Sequence, residues 1–585
     1  MSIRTIQAAM GSIPFDTIIK NIRLVNVFTS DIYPADIGIT DNEIAFVGTM
    51  TPQHRALNLI DGEGQFAVPG YIDSHMHIES SMMTPANFAT AVLPLGTTSV
   101  AADPHEIANV LGESGVRLMC DRSVDLPLHV HMMAPSTVPS APGFEQSGAI
   151  ITNEEIERML RYPGVLGLGE VMDFLGVIAG DDKMIAIIDV AKKAKVVIDG
   201  HVPTLKGKEL QAFVASGIDC DHTMMDPRIV TEKLQYGMCV QIQERFFTKE
   251  LMSFLNTFPV QDRIMLVTDD VPISRLASDG HVDALLRHSV ALGLDPIKAI
   301  RYVTINAASR LRLHHRGAIA PGYAADIVLI DNLEHFMANQ VFSDGQLVAE
   351  HGTMLKKITA IPFPEVTYHT VKVPKVTPTD FTIQVDKDKV LANVIMQDGK
   401  TSRTTLRQIE LNGIDGKLQQ GELMKMTVFE RHSGNGTKKH GLIGNMKGFR
   451  GAIATTYAHD CHNLVVYSAN DDDAAIAANE LINTEGGVIA VLEGNILASI
   501  RLPIAGILCE DDKETLAKKF SAVDRAAKEI LRLNHQEVLT FVTLMPLAVS
   551  PEVKLTDKGL IDVIHKKFLP LLADDIDRHD TKVDS

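Results

Sequence analysis

The chain has 585 residues, a length that corresponds to roughly four domains at about 150 residues each, although one α/β barrel can take up about 250. Hydrophobic residues make up 45% and charged residues 22%, which is typical of a globular protein and excludes a chain that is disordered throughout. Acidic residues outnumber basic ones by 73 to 55, and the resulting formal charge of −18 argues against nucleic acid or an anionic membrane as the partner.

The N-terminal residues lack the long apolar core and the cleavage site of a signal peptide. No apolar run approaches the roughly 20 residues that are needed to span a bilayer. The cysteines are scattered, odd in number and never arranged as CxxC: Cys120, Cys220, Cys239, Cys461 and Cys509. We therefore expect neither a disulfide framework nor a structural zinc knuckle, and we predict a cytoplasmic protein.

Two β-rich segments flank a long middle segment. Between residues 18 and 63, apolar and polar residues alternate and are interrupted by Asp-Asn and Gly turn signals. A similar pattern returns between residues 317 and 351. We therefore predict that residues 1–65 and 312–360 form one composite β-sandwich domain.

The middle segment, residues 66–311, is close to the roughly 250 residues of a (β/α)8 barrel. Eight short apolar runs alternate with helix-like stretches, as βα units around a parallel sheet do. The runs end near His75, Asp103, His131, Glu170, His201, His222, Glu244 and Asp269. Because the functional groups of a barrel lie at the C-terminal ends of its strands, the polar residues at these ends are candidates for one site.

The chain after residue 360 has a different composition. The segment PFPEVTYHTVKVPKVTP is rich in proline and β-branched residues and predicts a linker. Residues 370–585 mix strand-like runs, such as DFTIQV and GGVIAVLEGNILASI, with helix-like runs, such as DDDAAIAANELINT and KETLAKKFSAVDRAAKEIL. This mixture predicts an additional C-terminal α+β domain.

The first barrel strand ends in the motif His75-Met76-His77. Side chains two residues apart on a strand point to the same side, so both imidazoles can face one metal ion. An HxH motif alone is a weak signal in a chain with 22 histidines, and a surface pair is the alternative. The motif is a stronger indication of a metal site because further possible ligands stand at other predicted strand ends, namely Glu170, His201, His222 and Asp269. We therefore predict a metal site at one end of the barrel.

The predicted ligands are imidazoles and carboxylates, without a thiolate, which suits Zn, Fe or Mn. A carboxylate such as Glu170 can bridge two ions, and two ions would lower the pKa of a water molecule between them toward neutrality. Asp269 beside the site is the expected acceptor and donor of protons. Its neighbour Asp270 is expected to cap the next helix or to point outward, because adjacent residues of a strand face opposite ways.

Several longer motifs carry a family resemblance. GYIDSHMHIESS, DPHEIANVLG, the strand-end His201 and His222, and TDDVP resemble the amidohydrolase superfamily and, more narrowly, the bacterial adenine deaminase family. In the C-terminal part, GLIGNMKGFRGAIATTYAHDCHNLVVYSANDDD, GGVIAVLEGN and LPIAGIL are similar to the extra domain of the same family. The similarity extends from about residue 20 to residue 550.

The resemblance implies hydrolysis of adenine to hypoxanthine and ammonia, as in purine salvage. It implies a centre of two divalent ions per chain, with Mn or Fe favoured and Zn as the further candidate. The implied ligands are His75, His77, Glu170, His201, His222 and Asp269. The resemblance also implies a homo-oligomer, which we expect to be a dimer, and a purine base as the small-molecule partner.

Two departures separate the chain from related classes. Many dihydroorotase-like and hydantoinase-like relatives bridge their metals with a carboxylated lysine on strand four, whereas the segment GVLGLGEVMD offers Glu170 and no lysine. Adenosine deaminases carry His-Ala-Gly-Glu at strand five, and the glutamate protonates the purine ring. The matching segment here is His201-Val-Pro-Thr, so another group must serve the ring nitrogen.

The candidates for that group are Glu79, His105 and Glu106. Glu79 lies two residues beyond His77, on the same side if the strand geometry continues. His105 leaves strand two in the segment Asp103-Pro-His-Glu, where the proline ends regular pairing. We expect catalytic roles for Glu79 and His105, and for Glu106 a structural role as a carboxylate at a helix N-terminus.

The segment AHDCHN brings together His459, Asp460 and His462 in the last domain. A second metal site, a lid, an interface and a structural cluster all remain open for these residues. For the whole chain, the alternatives to adenine hydrolysis are a related amidohydrolase that acts on another aminated ring or a cyclic amide, and a catalytically silent relative that binds metal or a purine. The silent alternative is disfavoured because all six predicted ligands are present.

Overall fold

The computed structural model describes residues 3–397, 403–533 and 538–573. The chain separates into two compact units. Unit 1 comprises Met1–Pro104, Arg117–Ser136 and Thr152–Ile361, and unit 2 comprises His105–Val116, Thr137–Ile151 and Pro362–Ser585. Two stretches of the predicted barrel span therefore group with unit 2, and the predicted domain boundaries stay a prediction.

Unit 1 begins with a short helix and a group of strands: α1 (Ile3–Ala9), β1 (Phe15–Asn26), β2 (Asp31–Thr40), β3 (Glu43–Gly48), β4 (Ala56–Asp61) and β5 (Phe66–Pro69). The barrel strands follow: β6 (Tyr71–His77), β7 (Thr97–Ala102), β8 (His129–Ala134), β9 (Val165–Val171), β10 (Val197–Gly200), β11 (Cys220–Asp221), β12 (Cys239–Gln243), β13 (Ile264–Val267) and β14 (Asp269–Asp270). Each of the predicted apolar runs contains one of these strands.

The helices that alternate with the barrel strands are α2 (Pro85–Val92), α3 (His105–Leu111), α4 (Glu113–Ser123), α5 (Asn153–Met159), α6 (Phe174–Ala179), α7 (Asp182–Ala194), α8 (Gly207–Ala215), α9 (Pro227–Gln235), α10 (Lys249–Thr257), α11 (Ile273–Ser278), α12 (Val282–Ala291), α13 (Pro296–Tyr302) and α14 (Ile305–Arg310). The residues at the N-termini of several of these helices explain where each helix begins. Helix α5 begins at a capping box between Thr152 and Glu155, and α9 and α13 each begin with an Asp cap followed by proline.

The barrel strands run parallel in the order β10-β9-β8-β7-β6-β14, and β11, β12 and β13 form a second parallel set. Strand β14 lies one residue after β13 and pairs with β6, with Asp269 opposite Met76, so it connects the second set to the first. At the other junction, the Asp219 amide donates to the Ile198 carbonyl over 3.4 Å. The (β/α)8 barrel is confirmed.

The composite sheet of unit 1 is completed by β15 (Ile327–Ile330), β16 (Ala338–Ser343), β17 (Gln346–Glu350) and β18 (Thr353–Met354). Its strand order is β18-β17-β16-β15-β5-β1-β2-β3, and β4 also pairs with β1. The two chain segments meet where β5 pairs antiparallel with β15, with Phe66 opposite Ile330. The apolar sides of both strands are buried in a shared core, so the two chain segments form one composite sheet.

Unit 2 contains the strands β19 (Lys389–Gln397), β20 (Thr404–Ile414), β21 (Lys417–Gln419), β22 (Met424–Phe429), β23 (Lys438–Gly444), β24 (Ala452–Thr455), β25 (Leu464–Ser468), β26 (Gly487–Leu492), β27 (Asn495–Arg501), β28 (Val553–Thr556), β29 (Gly559–Asp562) and β30 (Lys567–Leu569). Its longer helices are α15 (Asp471–Asn483), α16 (Lys513–Arg525) and α17 (Val538–Leu544). The main sheet has the order β21-β20-β19-β23-β22-β25-β24-β26-β27, which confirms the α+β prediction.

Two local predictions in unit 2 were wrong. The run DFTIQV is not a strand, because a 3-10 helix occupies Pro378–Phe381 and only an isolated bridge forms at Gln384. The predicted linker lacks regular strands, but Val371, Val373 and Val376 are buried against α15 in a hydrophobic cluster. Their burial makes this segment part of the core of unit 2 rather than an exposed connection. Among the described residues, we find no helix with the length and apolar character that a membrane crossing requires.

Candidate metal centre

His75 and His77 lie at the C-terminal end of β6, and both are buried. Their ring centroids are 5.1 Å apart. The Nδ1 atom of His77 lies 2.9 Å from the Asp103 carbonyl, and because a carbonyl can only accept, Nδ1 is the donor. In the neutral ring the lone pair of His77 is therefore on Nε2, which lies 3.1 Å from Asp269 Oδ1 and 3.5 Å from Glu170 Oε1.

Glu170 stands near the end of β9 with its two carboxylate oxygens directed at different histidines. One oxygen faces His77, and the other lies 2.6 Å from His201 Nδ1 and 3.2 Å from His222 Nε2. Its backbone amide donates to Asp103 Oδ2 over 2.8 Å. A side chain at the preceding Gly169 would collide with this same Asp103 carboxylate, with a Cβ only 2.1 Å from Oδ2. Glycine at position 169 therefore makes room for the Asp103 carboxylate beside β9.

His201 and His222 follow the short strands β10 and β11. Their facing nitrogens, His201 Nδ1 and His222 Nε2, are 3.1 Å apart. The His222 ring also stacks on His75, with centroids 4.0 Å apart and an angle of 19° between the planes. The structure thus brings all four predicted imidazoles to the same end of the barrel.

Asp269 lies in β14, directly beside β6. Its backbone has a φ of 58°, a left-handed conformation that a residue other than glycine adopts at a cost in energy. Its Oδ1 lies 3.1 Å from His77 Nε2 and 3.7 Å from His75 Nε2. Asp270 is exposed, accepts a hydrogen bond from Ser80 and does not cap α11. A carboxylate oxygen of Asp270 also lies within 4.8 Å of possible ligand atoms of His77 and Asp269, so its outward direction stays a prediction.

The charges of the cluster shift its pKa values. Burial would raise the pKa of Glu170, but His201 and His222 outweigh it and hold the pKa of this carboxyl well below its ordinary value. Burial likewise opposes ionisation of Asp269, but the neighbouring His75 and His77 outweigh it and hold the pKa of Asp269 well below the ordinary value. The pKa of His75 is raised, because Asp199 and Asp269 overcome the effect of burial. Both carboxyl groups are therefore ionised near neutral pH.

The arrangement fits divalent cations. Several sets of possible ligand atoms lie within 4.8 Å of one another, and they include His75, His77 and Glu170; His75, His222 and Asp269; and Glu170, His201 and His222. At His77, a lone-pair nitrogen faces two carboxylate oxygens, an arrangement that a cation between them would stabilise. Nitrogen and oxygen donors without a thiolate suit Mn, Fe or Zn. Glu170 occurs with His75 and His77 in one of these sets and with His201 and His222 in another, as a ligand shared by two ions would.

Glu79 and His105, which we predicted to act on the purine ring, lie in different units. Glu79 belongs to unit 1 and is buried in a 3-10 helix, Ile78–Ser81, that starts directly after His77. Strand alternation therefore ends before Glu79, and the expectation that the strand geometry continues from His77 to Glu79 was wrong. His105 is the first residue of α3 in unit 2, where its Nε2 lies 3.6 Å from Glu106 Oε1. The catalytic roles of both residues stay predictions.

A second cluster of polar residues lies within unit 2. The buried carboxylate of Glu106 contacts His459 Nδ1 with one oxygen and His462 Nε2 with the other. The Nδ1 atom of His462 accepts the backbone N–H of Ala458 over 3.1 Å, so the ring proton is on Nε2 and is donated to Glu106. With its proton committed in this way, His462 Nε2 cannot offer a lone pair to a metal. A metal site at His462 is therefore disfavoured, and the structural role expected for Glu106 gains support.

The chain matches two family models. The first is described as the amidohydrolase family and matches residues 66–356, and the second is described as the adenine deaminase C-terminal domain and matches residues 379–567. An adenine deaminase of Moorella thermoacetica is 38% identical over 583 residues, and one of Clostridium botulinum (strain Loch Maree / Type A3) is 37% identical over 587 residues. Each alignment covers 97% of this chain and 97% of the relative. A third adenine deaminase, from Kosmotoga olearia, is 36% identical and is covered over 98% of its length.

The chain belongs to the adenine deaminase family. The resemblance inferred from the sequence motifs is thereby confirmed, together with the hydrolase class. Metal dependence follows from the amidohydrolase family and from the ligand groups described above.

Asp103, one of the strand-end candidates, orients Glu170 and His77 through its side chain and its main-chain carbonyl. Two further residues around the centre of this adenine deaminase family member were not predicted as functional from the sequence: Asp199 lies beside His75, and Arg310 pairs with Asp199. The signal for Asp199 was a lone carboxylate inside the apolar run KVVIDGH. No local signal pointed to Arg310, because it reaches Asp199 from the end of α14, across 111 residues of sequence.

Proposed function

We propose that this chain hydrolyses adenine to hypoxanthine and ammonia. The observation that carries the proposal is the similarity to relatives named adenine deaminase, which extends over 97% of the chain and includes both of its family-specific parts. The group of four imidazoles and two carboxylates, buried except for the partly exposed His201, supports it, because hydrolysis of the bond between an aromatic ring carbon and its amino group requires a strong nucleophile at neutral pH.

We infer that two divalent ions bind per chain, with Mn or Fe favoured and Zn as the further candidate. The residues that would hold them are His75, His77, Glu170, His201, His222 and Asp269. When bound, such ions lower the pKa of a water molecule and so supply hydroxide near neutral pH. The division of the Glu170 oxygens between His77 on one side and His201 with His222 on the other supports its role as the shared ligand.

We propose that Asp269 moves the proton of the attacking water. Its pKa is held well below the ordinary value, so it is an ionised acceptor at neutral pH. In this mechanism Asp269 receives a proton as oxygen adds to C6 of adenine, and it returns the proton to the amino group as the C6–N bond breaks. The products are then hypoxanthine and ammonia, and Asp269 is again ionised.

A second group must protonate N1 of the ring, because otherwise the ring would carry a full negative charge while C6 is tetrahedral. We propose Glu79 for this role, with His105 as the group that polarises or positions the ring. Hypoxanthine keeps this proton on N1, so Glu79 regains a proton from the water molecule that is ionised for the next turnover. Complete burial of Glu79 supports the choice, since a carboxyl group removed from water holds its proton more readily and can serve as an acid.

Substrate assays separate this proposal from its alternatives. Protein loaded with Mn or Fe is incubated with adenine, adenosine, guanine, cytosine and hydantoin, and ammonia release is measured for each of the aminated substrates, with ring opening measured for hydantoin. We expect adenine to be the best substrate. Hydantoin opening without adenine turnover would favour a cyclic-amide hydrolase, and metal-loaded protein inactive on every substrate would favour a silent relative. We further propose a homodimer in the cytoplasm. The scattered cysteines, odd in number and without a CxxC pair, support the compartment.

A further inference from the structure

The two histidines of the HxH motif are held in different ways on the side away from the proposed metal centre. His77 donates from Nδ1 to a main-chain carbonyl, that of Asp103, over 2.9 Å. His75 instead has a side-chain partner, since its Nδ1 lies 3.5 Å from Asp199 Oδ2, at the outer limit of hydrogen bonding. Both His75 and Asp199 are only 1% exposed, so water does not compete for this contact.

Asp199 is itself held in place by a buried arginine. Its other oxygen, Oδ1, accepts a hydrogen bond from Arg310 Nη2 over 2.6 Å. The same arginine nitrogen lies 3.2 Å from the Ile198 carbonyl and 2.9 Å from Asp219 Oδ1. Arg310 therefore has a second carboxylate partner in Asp219, and a structural need to balance its charge does not by itself account for Asp199.

We propose that Asp199 is a positioning residue for the metal centre, an inference that rests on the proposed function. By accepting the proton on Nδ1 of His75, Asp199 keeps the lone pair of the ring on Nε2, the nitrogen that faces Asp269 at 3.7 Å. Arg310 restrains this carboxylate by its hydrogen bond to the other oxygen, Oδ1. Partners of this kind set the tautomer and the orientation of a metal-binding histidine and raise its basicity as a ligand.

Asp199→Asn is the variant that tests the proposal. It has nearly the same size but lacks the charge, and its amide can donate to His75 Nδ1, which would move the ring proton to Nε2 and block the ligand atom. The matched control is Asp219→Asn, which removes the other carboxylate partner of Arg310 without contacting His75. Metal-free forms of both variants and of the wild type are equilibrated with Mn²⁺ or Zn²⁺ against a competing chelator, and bound metal is measured.

We expect Asp199→Asn to bind metal about 10- to 100-fold more weakly than the wild type, a loss typical of such partners. We also expect a changed visible absorption spectrum after loading with Co²⁺, which a general loss of stability would not produce in folded protein. Asp219→Asn should retain wild-type affinity and spectrum. Wild-type affinity and spectrum in Asp199→Asn would overturn the inference while leaving the proposed function intact.

A second variant tests the proposal in case the first one does not fold. If Asp199→Asn does not fold, the same competition is run on Asp199→Glu, which retains the charge required by Arg310 but displaces the oxygen that faces His75. Weaker metal binding in this variant supports the proposal, and unchanged binding overturns it. A wild-type protein that binds no divalent ion would overturn both this inference and the proposed metal centre.

Discussion

Glu170→Gln is the most informative substitution at the centre, because the Glu170 carboxylate contacts three of the four imidazoles, at distances between 2.6 and 3.5 Å. Glutamine preserves the size of the side chain but removes its charge and replaces one acceptor oxygen by a donor. If Glu170 is shared by two ions, the variant should lose metal and activity together, since each ion loses a negatively charged ligand.

The size of the effect follows from electrostatics. Two unit charges about 4 Å apart interact by about 4 kcal/mol at an effective dielectric constant of about 20, which corresponds to roughly a thousandfold weaker binding. Such a loss exceeds the scatter of a metal-binding assay, so it can be measured by chelator competition followed by elemental analysis. Ammonia release from adenine is measured on the same samples.

The matched control is Glu244→Gln. Glu244 also follows a barrel strand and is partly buried, but it pairs with Arg275 and His288 and with none of the proposed ligands. We expect this variant to keep wild-type metal content and turnover. If Glu170→Gln retained two ions and near-normal activity, the assignment of Glu170 as the shared ligand would be wrong. If it retained the ions but lost activity, Glu170 would act in the chemistry rather than in metal binding.

Four further predictions follow from the same structure. Purified protein should contain about two divalent ions per chain, and full activity with one ion would contradict the dinuclear centre. A chelator should abolish turnover, while circular dichroism should show that most of the fold is retained, because a barrel of this size has its own core. Asp269→Asn should keep most of its metal but lose about 10²–10⁴-fold in kcat, the typical cost of removing a positioned acid or base. Glu79→Gln should lower kcat strongly while metal analysis still finds about two ions, and full activity in this variant, or loss of metal with it, would move the donor role to His105. In unit 2, burial and the nearby Asp460 raise the pKa of Glu145 to about 7. A raised carboxyl pKa means that the folded state is stable with Glu145 protonated and loses stability as the pH rises through that value. The free energy of unfolding of Glu145→Gln, measured with urea, should therefore exceed that of the wild type by on the order of 3 kcal/mol at pH 8 but by only about 1 kcal/mol at pH 5. If the difference between variant and wild type were the same at both pH values, Glu145 would not be a buried neutral acid.

The general architecture could be predicted because it depends on short-range patterns. Alternation of apolar and polar residues identified the strands of the composite sheet, and apolar runs of strand length ending in His, Asp or Glu identified the barrel strands. Since parallel strands of a barrel present their C-terminal ends at one face, the six predicted ligands could be expected to meet, and the structure brings their side chains together.

Prediction failed where the local pattern competes with tertiary packing. DFTIQV has the composition of a strand, yet Phe381 is buried in the core of unit 2 within a 3-10 helix. The proline-rich segment after residue 360 resembles a linker, but burial of its valines against α15 outweighs its lack of regular structure. Neither outcome can be inferred from a window of neighbouring residues.

The amino-acid sequence by itself determined the fold class, the family and the ligand types of the candidate centre, because these depend on periodicity, on motifs and on residues at strand ends. Only the tertiary structure decided which residues, distant in the sequence, pair with each other in the interior. Asp199 and Arg310 meet across 111 residues, and Glu106 meets His462 across 356 residues. The physical reason is that a buried charge must find its partner in space, and the chain can supply that partner from any position that the fold brings near.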